Sequence, residues 1–391
     1  MIHSSLPLRL IAILALTHAG FNGARLTLTL KAIDLQASPL VVGILMSLLM
    51  VVPVFVAVPV GRWADRRGYE GPTLLGICLT GVGCALAALL PILPVLGLAS
   101  VFMGSGFTLV HVGVNNAIGH ATSTEDRAQA FGAMAVAFSI SGLVAPLLAG
   151  LIIDHVNHRI AFAVMVVFAL AALALLRRAP QRGGSPAAPR ETSDGRDAHD
   201  SRGGAVAMLR HPPLRAALIV GTLMSMGWDL FNFLLPLHGA RSGLSATAIG
   251  RVVGAFAAGS FAVRMAVARL ARSFDEWRVM GVAMGAAALC YLVFPFLGSL
   301  ATLMPLAFVL GMVLGCGQPM GMSLVHRTSP PGRTGEAVGL RSSAVSASQA
   351  SLPLLVGALG AAAGLMPVFW LAAGVMAWGS FYTERRGKHL T

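Results

Sequence analysis

The chain contains an apolar run, Leu40 to Val60, that no charged residue interrupts. An uncharged run of about 20 residues is long enough to cross the hydrocarbon core of a bilayer as a helix. The chain then turns basic at once, because residues 61–68 read GRWADRRG and carry three Arg and one Asp. Positively charged loops tend to stay in the cytoplasm. This one stretch therefore predicts a membrane span, its direction and a cytoplasmic loop.

The whole chain has the composition of a multi-pass membrane protein. Hydrophobic residues make up 56% of the 391 residues and charged residues 11%, whereas soluble domains contain about 25% charged residues. The net charge of +13 does not indicate nucleic acid, because the Arg residues lie between apolar runs rather than on one face. We predict an all-α membrane protein that lies in the lipid bilayer as a monomer and binds no nucleic acid. Its twelve predicted spans are 8–30, 39–61, 72–91, 94–119, 129–153, 160–177, 214–237, 246–268, 278–298, 300–324, 337–361 and 366–383.

The distribution of Lys and Arg predicts the orientation of these spans. With both termini in the cytoplasm, 21 of the 28 Lys and Arg residues lie on the cytoplasmic side. Four lie at the outer side, Lys31, Arg159, Arg241 and Arg251, and three lie within spans, Arg25, Arg264 and Arg341. This bias follows the positive-inside rule. Arg outnumbers Lys 26 to 2, which is typical of GC-rich bacterial genomes, so we expect a bacterial inner-membrane protein.

The two halves of the chain match at a constant offset of 207 residues. The offset pairs Gly20 with Gly227, Gly43 with Gly250, Gly104 with Gly311, Pro146 with Pro353, and Gly150 with Gly357. A constant offset across several spans indicates duplication of one unit. We predict two pseudo-symmetric six-helix bundles, 1–178 and 213–391. The cytoplasmic linker between them, 179–212, is rich in Arg, Gly, Pro, Ser and Asp, which is typical of disorder.

The loop after the second span resembles the signature loop between helices 2 and 3 of the major facilitator superfamily. Gly61, Asp65, Arg66 and Gly68 match that signature, whereas Trp63 replaces its usual Leu. Together with the duplicated halves, the resemblance covers nearly the whole chain. It implies the superfamily fold, in which two six-helix halves rock about a central cavity. It also implies that the matching Gly lets helix 2 approach a neighbour closely, and that the matching Asp caps and charge-pairs across the cytoplasmic face as a conformational latch.

Polar residues recur on one face of the first and seventh spans. The faces are His18, Asn22, Arg25 and Thr29 in span 1, and Ser225, Asp229, Asn232 and Pro236 at the equivalent positions of span 7. Spacings of three and four residues place side chains on one side of a helix. Because spans 1, 4, 7 and 10 line the cavity in the superfamily, the resemblance implies a substrate site here. The further candidates for substrate binding are His111 and Asn115 in span 4, Gln318 in span 10 and Arg341 in span 11.

Asp229 is the only acidic residue well inside a span. Its counter-ion would be Arg25, Arg264 or Arg341, and we favour Arg25 because the duplication places it across the cavity. Asp229 is therefore the candidate for proton coupling. Three Arg residues against one Asp favour an anionic or carboxylate-bearing solute. As alternatives, Arg25 could snorkel to the membrane surface, the other two Arg could reach lipid phosphates, and Asn22 and Asn115 could hydrogen-bond neighbouring helices.

The sequence contains no P-loop, no zinc-spaced His or Cys set and no nucleophile elbow. We therefore predict no enzyme, no cofactor and no metal, but a secondary active transporter that draws on a solute or proton gradient. The pattern of small residues and Pro from Gly142 to Gly150 resembles that of superfamily antiporters and favours proton-coupled export, although Ser100 stands where drug–proton antiporters carry Arg. The alternatives are import by a symporter or facilitator, and a non-transporting receptor or assembly subunit.

Overall fold

The computed structural model describes residues 5–121, 124–178, 208–273, 275–330 and 333–390. Within these ranges, 12 helices are long and apolar enough to cross a membrane, which confirms the twelve predicted spans. They are α1 (Ser5–Asp34), α2 (Pro39–Arg67), α3 (Glu70–Leu89), α4 (Leu93–Ala121), α5 (Thr124–His155), α6 (His158–Arg177), α7 (Pro212–Arg241), α8 (Ala246–Ser273), α9 (Glu276–Val293), α10 in two segments, α10a (Leu300–Gly315) and α10b (Gly317–Thr328), α11 (Thr334–Ala363) and α12 (Leu365–Leu390). Most of the predicted linker, 179–207, lies outside the described residues.

The second helix is longer than predicted. It does not end at Gly61 but continues to Arg67, so most of the predicted loop is helical. Gly68 then ends the helix with a φ of +82°, a backbone conformation that is accessible to glycine at little cost. The N–H of Gly68 donates to the carbonyl of Ala64 and completes the last turn. Only a short connection therefore separates α2 from α3.

The tenth span is broken rather than continuous, contrary to the prediction. One segment ends at Gly315 and the next begins at Gly317, with Cys316 between them. Pro319 has no N–H to donate to the Gly315 carbonyl four residues earlier, so the regular hydrogen-bond ladder cannot pass this point. The break leaves Gln318 exposed at the start of α10b.

The helices repeat at the same offset of 207 residues. Moving α1 by this offset gives Pro212–Arg241, the bounds of α7, and moving the start of α2 gives the start of α8. The main contacts between the two sets of six helices join α2 to α11 and α5 to α8. The chain therefore forms the two pseudo-symmetric six-helix bundles predicted from the sequence, here called the first half (α1–α6) and the second half (α7–α12).

The repeat extends to close backbone contacts inside each half. A Cβ atom on Gly104 of α4 would overlap the backbone of Leu49 in α2, and one on Gly311 of α10a would overlap the backbone of Phe256 in α8. The offset relates both glycines and both partners. Because backbone cannot rotate aside as a side chain can, the close approach of these helix pairs depends on the absence of a side chain.

We expect Gly104→Ala and Gly311→Ala to destabilise the protein by about 1–3 kcal/mol each, because the added methyl group forces two packed helices apart. The measurement is thermal unfolding of the purified protein in detergent. Gly374→Ala is the matched control, because a Cβ there meets nothing within 4 Å. Since Ala favours a helix over Gly by about 1 kcal/mol, the control should be neutral or stabilised. Equal melting temperatures for all three variants would contradict the packing argument.

The two halves meet along two seams that the repeat also relates. The seams consist of the contacts Gly43–Pro353 and Gly357–Pro39 between α2 and α11, and Gly250–Pro146 and Gly150–Ala246 between α8 and α5. At each contact the glycine lies so close to backbone of the other half that a Cβ atom would overlap it. Helices α2 and α8 begin at this end of the molecule, and α5 and α11 finish there. Both seams therefore close the same end, here called the gate end.

One seam carries an additional charged contact. Asp154 near the end of α5 accepts hydrogen bonds from the backbone N–H groups of Ala246, at 2.9 Å, and Thr247, at 2.7 Å, at the start of α8. The first N–H groups of a helix have no partner within the helix, so this carboxylate caps α8 from across the seam. The offset assigns Ala361 to the equivalent position of the other seam, and an alanine side chain cannot accept hydrogen bonds from the start of α2 across that seam.

At the opposite end of the molecule, polar side chains pair within one half. Asp65 of α2 accepts a hydrogen bond from Asn116 of α4 at 2.5 Å. Glu276 of α9 binds Arg327 and Ser323 of α10b. In the described part of the chain, no ion pair joins the two halves. The halves thus pack closely at the gate end, whereas the polar contacts described at the other end each lie within one half.

Candidate functional site

Two opposite charges from different halves face each other on the gate side of the centre. Arg25 belongs to α1, and Asp229, which is only 7% exposed, belongs to α7. The charge of Arg25 acts on the Asp229 carboxylate, and Gln349 of α11 interacts with the same group. Arg25 Nε and Asp229 Oδ2 are both buried without a hydrogen-bond partner. The two groups attract each other through the low-dielectric interior without forming a salt bridge, so a proton on Asp229 would remove a substantial interaction.

The Asp229 carboxyl group also lies beside one of the seams. A small recess is lined by Asp229, Leu230, Phe233, Leu352, Pro353 and Val356. Pro353 is at the same time the residue of α11 against which Gly43 of the first half packs. A displacement of Pro353 therefore changes the surroundings of the carboxyl group and the seam together.

His18 lies in a chain of polar contacts that engages both of its ring nitrogens. Asn22 Nδ2 lies 2.9 Å from His18 Nε2 and 3.2 Å from His18 Nδ1, and His18 Nδ1 lies 2.5 Å from Ser141 Oγ of α5. The Ser141 hydroxyl also lies 3.1 Å from the Phe138 carbonyl, to which it can donate. Both nitrogens of the imidazole therefore have a polar neighbour in either tautomer.

Aromatic rings surround His18 in the first half. We call His18, Phe21, Phe107, His111 and Phe138 the aromatic cluster. The ring centre of His18 lies 4.3 Å from that of Phe138 and 5.6 Å from that of Phe107. His111 lies 5.7 Å from Phe107 and 6.0 Å from Phe138. Four of the five rings are only half-buried, whereas Phe21 is buried and stacks on Phe107 at 4.6 Å.

The second half presents a cation and a ring to this cluster. The Arg264 guanidinium lies 5.9 Å from the ring centre of Trp228, and its charge acts on His18 across the space between the halves. Both Arg264 and Trp228 are partly exposed. The region between the halves thus combines aromatic faces on one side with a positive charge on the other.

Two of the predicted asparagines bond their own helices rather than neighbouring ones. Asn115 Nδ2 donates to the His111 carbonyl at 2.7 Å, and Asn232 Nδ2 donates to the Trp228 carbonyl at 2.9 Å. Both residues are partly exposed. For Asn115, the alternative of a hydrogen bond to a neighbouring helix is therefore not what the structure shows, and both amides keep the oxygen as an acceptor.

Two predicted site residues lie apart from this region. Gln318 is exposed at the break in α10. Arg341 is only 6% exposed, and its guanidinium lies between Gly221 of α7 and Gly321 of α10b, inside the second half. Its Nε has no hydrogen-bond partner. The structure therefore places Arg25 within electrostatic reach of Asp229 and Asn22 beside His18, whereas Arg341 occupies a slot that two glycines leave open.

The residues of the predicted latch, Gly61, Asp65, Arg66 and Gly68, lie at the end opposite the gate. A Cβ atom on Gly61 would meet only Val112 Cγ1, at 3.9 Å, so no close approach depends on this glycine here. Asp65 bonds Asn116 within its own half instead of pairing across the two halves. Arg66 is exposed. Among the residues that the structure describes, no hydrogen bond or ion pair of the latch residues joins the halves.

The sequence analysis did not select Phe107, Phe138, Ser141 or Trp228 for the site. A signal was present, because Phe138 and Ser141 are three residues apart on α5 and Phe107 is four residues before His111 on α4. Only polar residues were examined for this spacing, so the aromatic faces were missed. Within the described ranges, no three His, Cys, Asp or Glu residues are placed to hold a metal ion.

Solved structures of transporters share this fold of two repeated six-helix bundles. A POT family transporter in complex with a thioalcohol-conjugated peptide matches with a TM-score of 0.81 and 15% identity, over 98% of this chain and 96% of that one. A point mutant of the nucleoside transporter NupG matches with 0.78 and 14%, over 97% and 99%. A bacterial homologue of the human lysosomal transporter Spinster, inward-facing and occupied, matches with 0.78 and 13%, over 98% and 96%.

The family model of the Major Facilitator Superfamily matches residues 10–304, which is most of the chain. The chain belongs to the Major Facilitator Superfamily, as the resemblance of its signature loop predicted. No curated protein sequence matches it significantly.

Proposed function

We propose that the protein is a secondary active transporter of a small organic anion, works by alternating access and is coupled to protons through Asp229. The observation that carries the proposal is the pair formed by Arg25 and Asp229. The two charges come from different halves, Arg25 Nε and Asp229 Oδ2 are buried without a hydrogen-bond partner, and Asp229 lies beside a seam. An ionisable group buried in a membrane is costly, and groups of this kind mark transport and proton pathways.

The position of Asp229 suggests how a proton would drive the change of access. While Asp229 is ionised, its attraction to Arg25 helps to hold the second half to the first. A proton on the carboxyl group removes this attraction and leaves Arg25 as an unbalanced charge, which favours separation of the halves and entry of water. Pro353 transmits the change, because it lines the recess of Asp229 and forms the seam with Gly43.

The substrate would bind between the halves, below the closed seams. Asn22, His111, Asn115 and Asn232 are partly exposed there and offer polar contacts. Arg264 supplies a positive charge that no described carboxylate balances with an ion pair. This surplus of positive charge is what supports an anionic solute rather than a cationic one.

The orientation follows from the positive-inside bias and the position of the seams. We propose that both termini lie in the cytoplasm of a bacterium, so that the gate end faces outward and the structure is the inward-open state. The protein would act as a monomer in the inner membrane. The small residues and Pro146 of α5 form the α5–α8 seam, and their resemblance to the antiporter pattern supports export by proton antiport over import.

The test is transport by the purified protein in liposomes. A mixture of small organic anions would be added outside, and accumulation inside would be measured by mass spectrometry with and without a pH gradient. The proposal expects at least one anion to accumulate only when the gradient is imposed. Liposomes without protein are the control, and opposite gradient directions separate export from import. Binding of an anion without any translocation would instead support the receptor alternative.

A further inference from the structure

We propose, resting on the transport function above, that the substrate is an aromatic carboxylate. Its ring would stack against the aromatic cluster of the first half, and its carboxylate would bind Arg264 of the second half. The proposal assigns a recognition role to rings that the transport mechanism itself does not require.

The first step concerns what His18 can offer to a ligand. Both of its nitrogens are engaged, Nε2 by Asn22 and Nδ1 by Ser141. The imidazole therefore has no free donor or acceptor for a substrate and presents only its ring face. Phe107, His111 and Phe138 present ring faces and edges around it, with centres between 4.3 and 6.0 Å apart. Such offset and tilted arrangements are those in which a further aromatic ring is favourably accepted.

The second step concerns accessibility. A ring cluster that only filled the core would be buried on all sides. Here His18, Phe107, His111 and Phe138 are each half-buried, while Phe21, behind Phe107, is buried. The cluster is thus supported from behind by Phe21, while part of each of the other four rings stays accessible to a planar molecule.

The third step concerns charge. Among the described residues, no Asp or Glu forms an ion pair with Arg264, and the one carboxylate at this depth, Asp229, interacts with Arg25 instead. A partly buried guanidinium without a counter-ion favours an incoming anion, and its planar donors match a carboxylate in two parallel hydrogen bonds. Trp228 lies beside the guanidinium at 5.9 Å and adds a second ring face.

The fourth step joins the two parts. Helices α5 and α8 pack antiparallel, and a Cβ atom on Gly142 of α5 would lie 3.8 Å from Ala257 Cβ of α8. In the same direction along this pair, Phe138 lies about one turn from Gly142 and Arg264 about two turns from Ala257, so the ring site and the anion site lie near each other between the two halves. A ligand that uses both must carry its negative charge close to a flat ring. An aliphatic anion would use only the guanidinium, and an uncharged aromatic molecule only the rings.

The experiment compares the binding of three probes to the purified full-length protein in detergent, by calorimetry and thermal shift. Benzoate carries both features, cyclohexanecarboxylate has the same charge and similar size without a flat ring, and benzyl alcohol has the ring without the charge. We expect benzoate to bind about fivefold to tenfold more tightly than cyclohexanecarboxylate, since stacking supplies a difference of this size. Benzyl alcohol should bind more weakly than either acid.

Variants assign the two contributions to the two sides of the site. Arg264→Gln should weaken benzoate at least about tenfold, because the charged hydrogen bonds are lost, whereas Arg251→Gln, an exposed Arg on the same helix, should not. Phe138→Leu should remove the preference for benzoate over cyclohexanecarboxylate, and Phe107→Leu serves the same purpose if the first variant does not fold.

Several outcomes would overturn the proposal. They are equal affinity for the two acids, no binding of benzoate at millimolar concentration, and an unchanged benzoate affinity in Arg264→Gln. If the liposome assay shows gradient-driven transport of aliphatic anions alone, the transport function stands and the aromatic substrate class is wrong. If no solute moves but benzoate binds as described, the recognition site stands and the transport function is wrong.

Discussion

Asp229→Asn is expected to abolish accumulation driven by a pH gradient while leaving the protein folded and able to bind its substrate. Asn has nearly the same shape as Asp but cannot gain or lose a proton, so the variant stays permanently in the neutral condition. Loss of a coupling of about 1–3 kcal/mol corresponds to a fall in gradient-driven accumulation of roughly fivefold to 150-fold. The measurement is initial uptake into proteoliposomes at a series of external pH values.

The pH profile separates coupling from simple damage. Wild-type transport should change with pH, and the Asp229→Asn profile should be flat. Asp34→Asn is the control, because this carboxylate is exposed at the end of α1 and pairs only with Lys31. Its profile should match that of the wild type. An Asp229→Asn protein that still concentrates substrate along a pH gradient would remove this residue from the coupling mechanism.

Gly43→Val and Gly250→Val are expected to prevent closure of the gate end. At both positions the side chain would collide with backbone of the other half, at Pro353 and Pro146 respectively. Overpacking of this kind costs about 1–3 kcal/mol, which would lower the population of the closed state by roughly fivefold to 150-fold. Transport should fall accordingly, because alternating access requires both ends to close in turn. Gly374→Val is the matched control, since its side chain would point into open space.

Cysteine accessibility reports the gate directly. Leu352 is 8% exposed and lines the recess beside Asp229, beneath the closed seam. In a Cys78→Ser background, a Leu352→Cys residue should react slowly with a membrane-impermeant thiol reagent added outside intact cells. Addition of Gly43→Val should make it react about tenfold faster or more. Equal labelling rates with and without the valine would show that the seam does not control access.

The number and repetition of the helices could be predicted from the sequence because both depend on patterns within short stretches of residues. Hydrophobic length defines a span, and the offset between Gly43 and Gly250 or between Pro146 and Pro353 survives in the order of residues. The break in α10 was also encoded locally, by Pro319, but hydropathy does not register it. The extension of α2 beyond Gly61 was missed because charge was taken as the end of the helix.

The central site was less accessible to prediction, because it depends on which faces meet in three dimensions. Arg25 and Arg341 look alike in the sequence, each a lone cation in an apolar span. Only the structure shows that the first faces Asp229 while the second fills the space left by Gly221 and Gly321. The aromatic cluster was missed for a related reason, since Phe138 looks like any core residue until it is found half-exposed beside His18.

The Asp154 contact makes the two seams of the duplicated molecule unequal in strength. Both seams share equivalent glycine contacts, but among the described residues only the α5–α8 seam adds a carboxylate bonded to the positive end of a helix dipole. The α2–α11 seam, with Ala361 at the position equivalent to Asp154, lacks these hydrogen bonds. We therefore expect the α2–α11 seam to open first. The two halves would then separate by rotating about the α5–α8 seam. The first water to enter would reach Asp229 before any other buried charge.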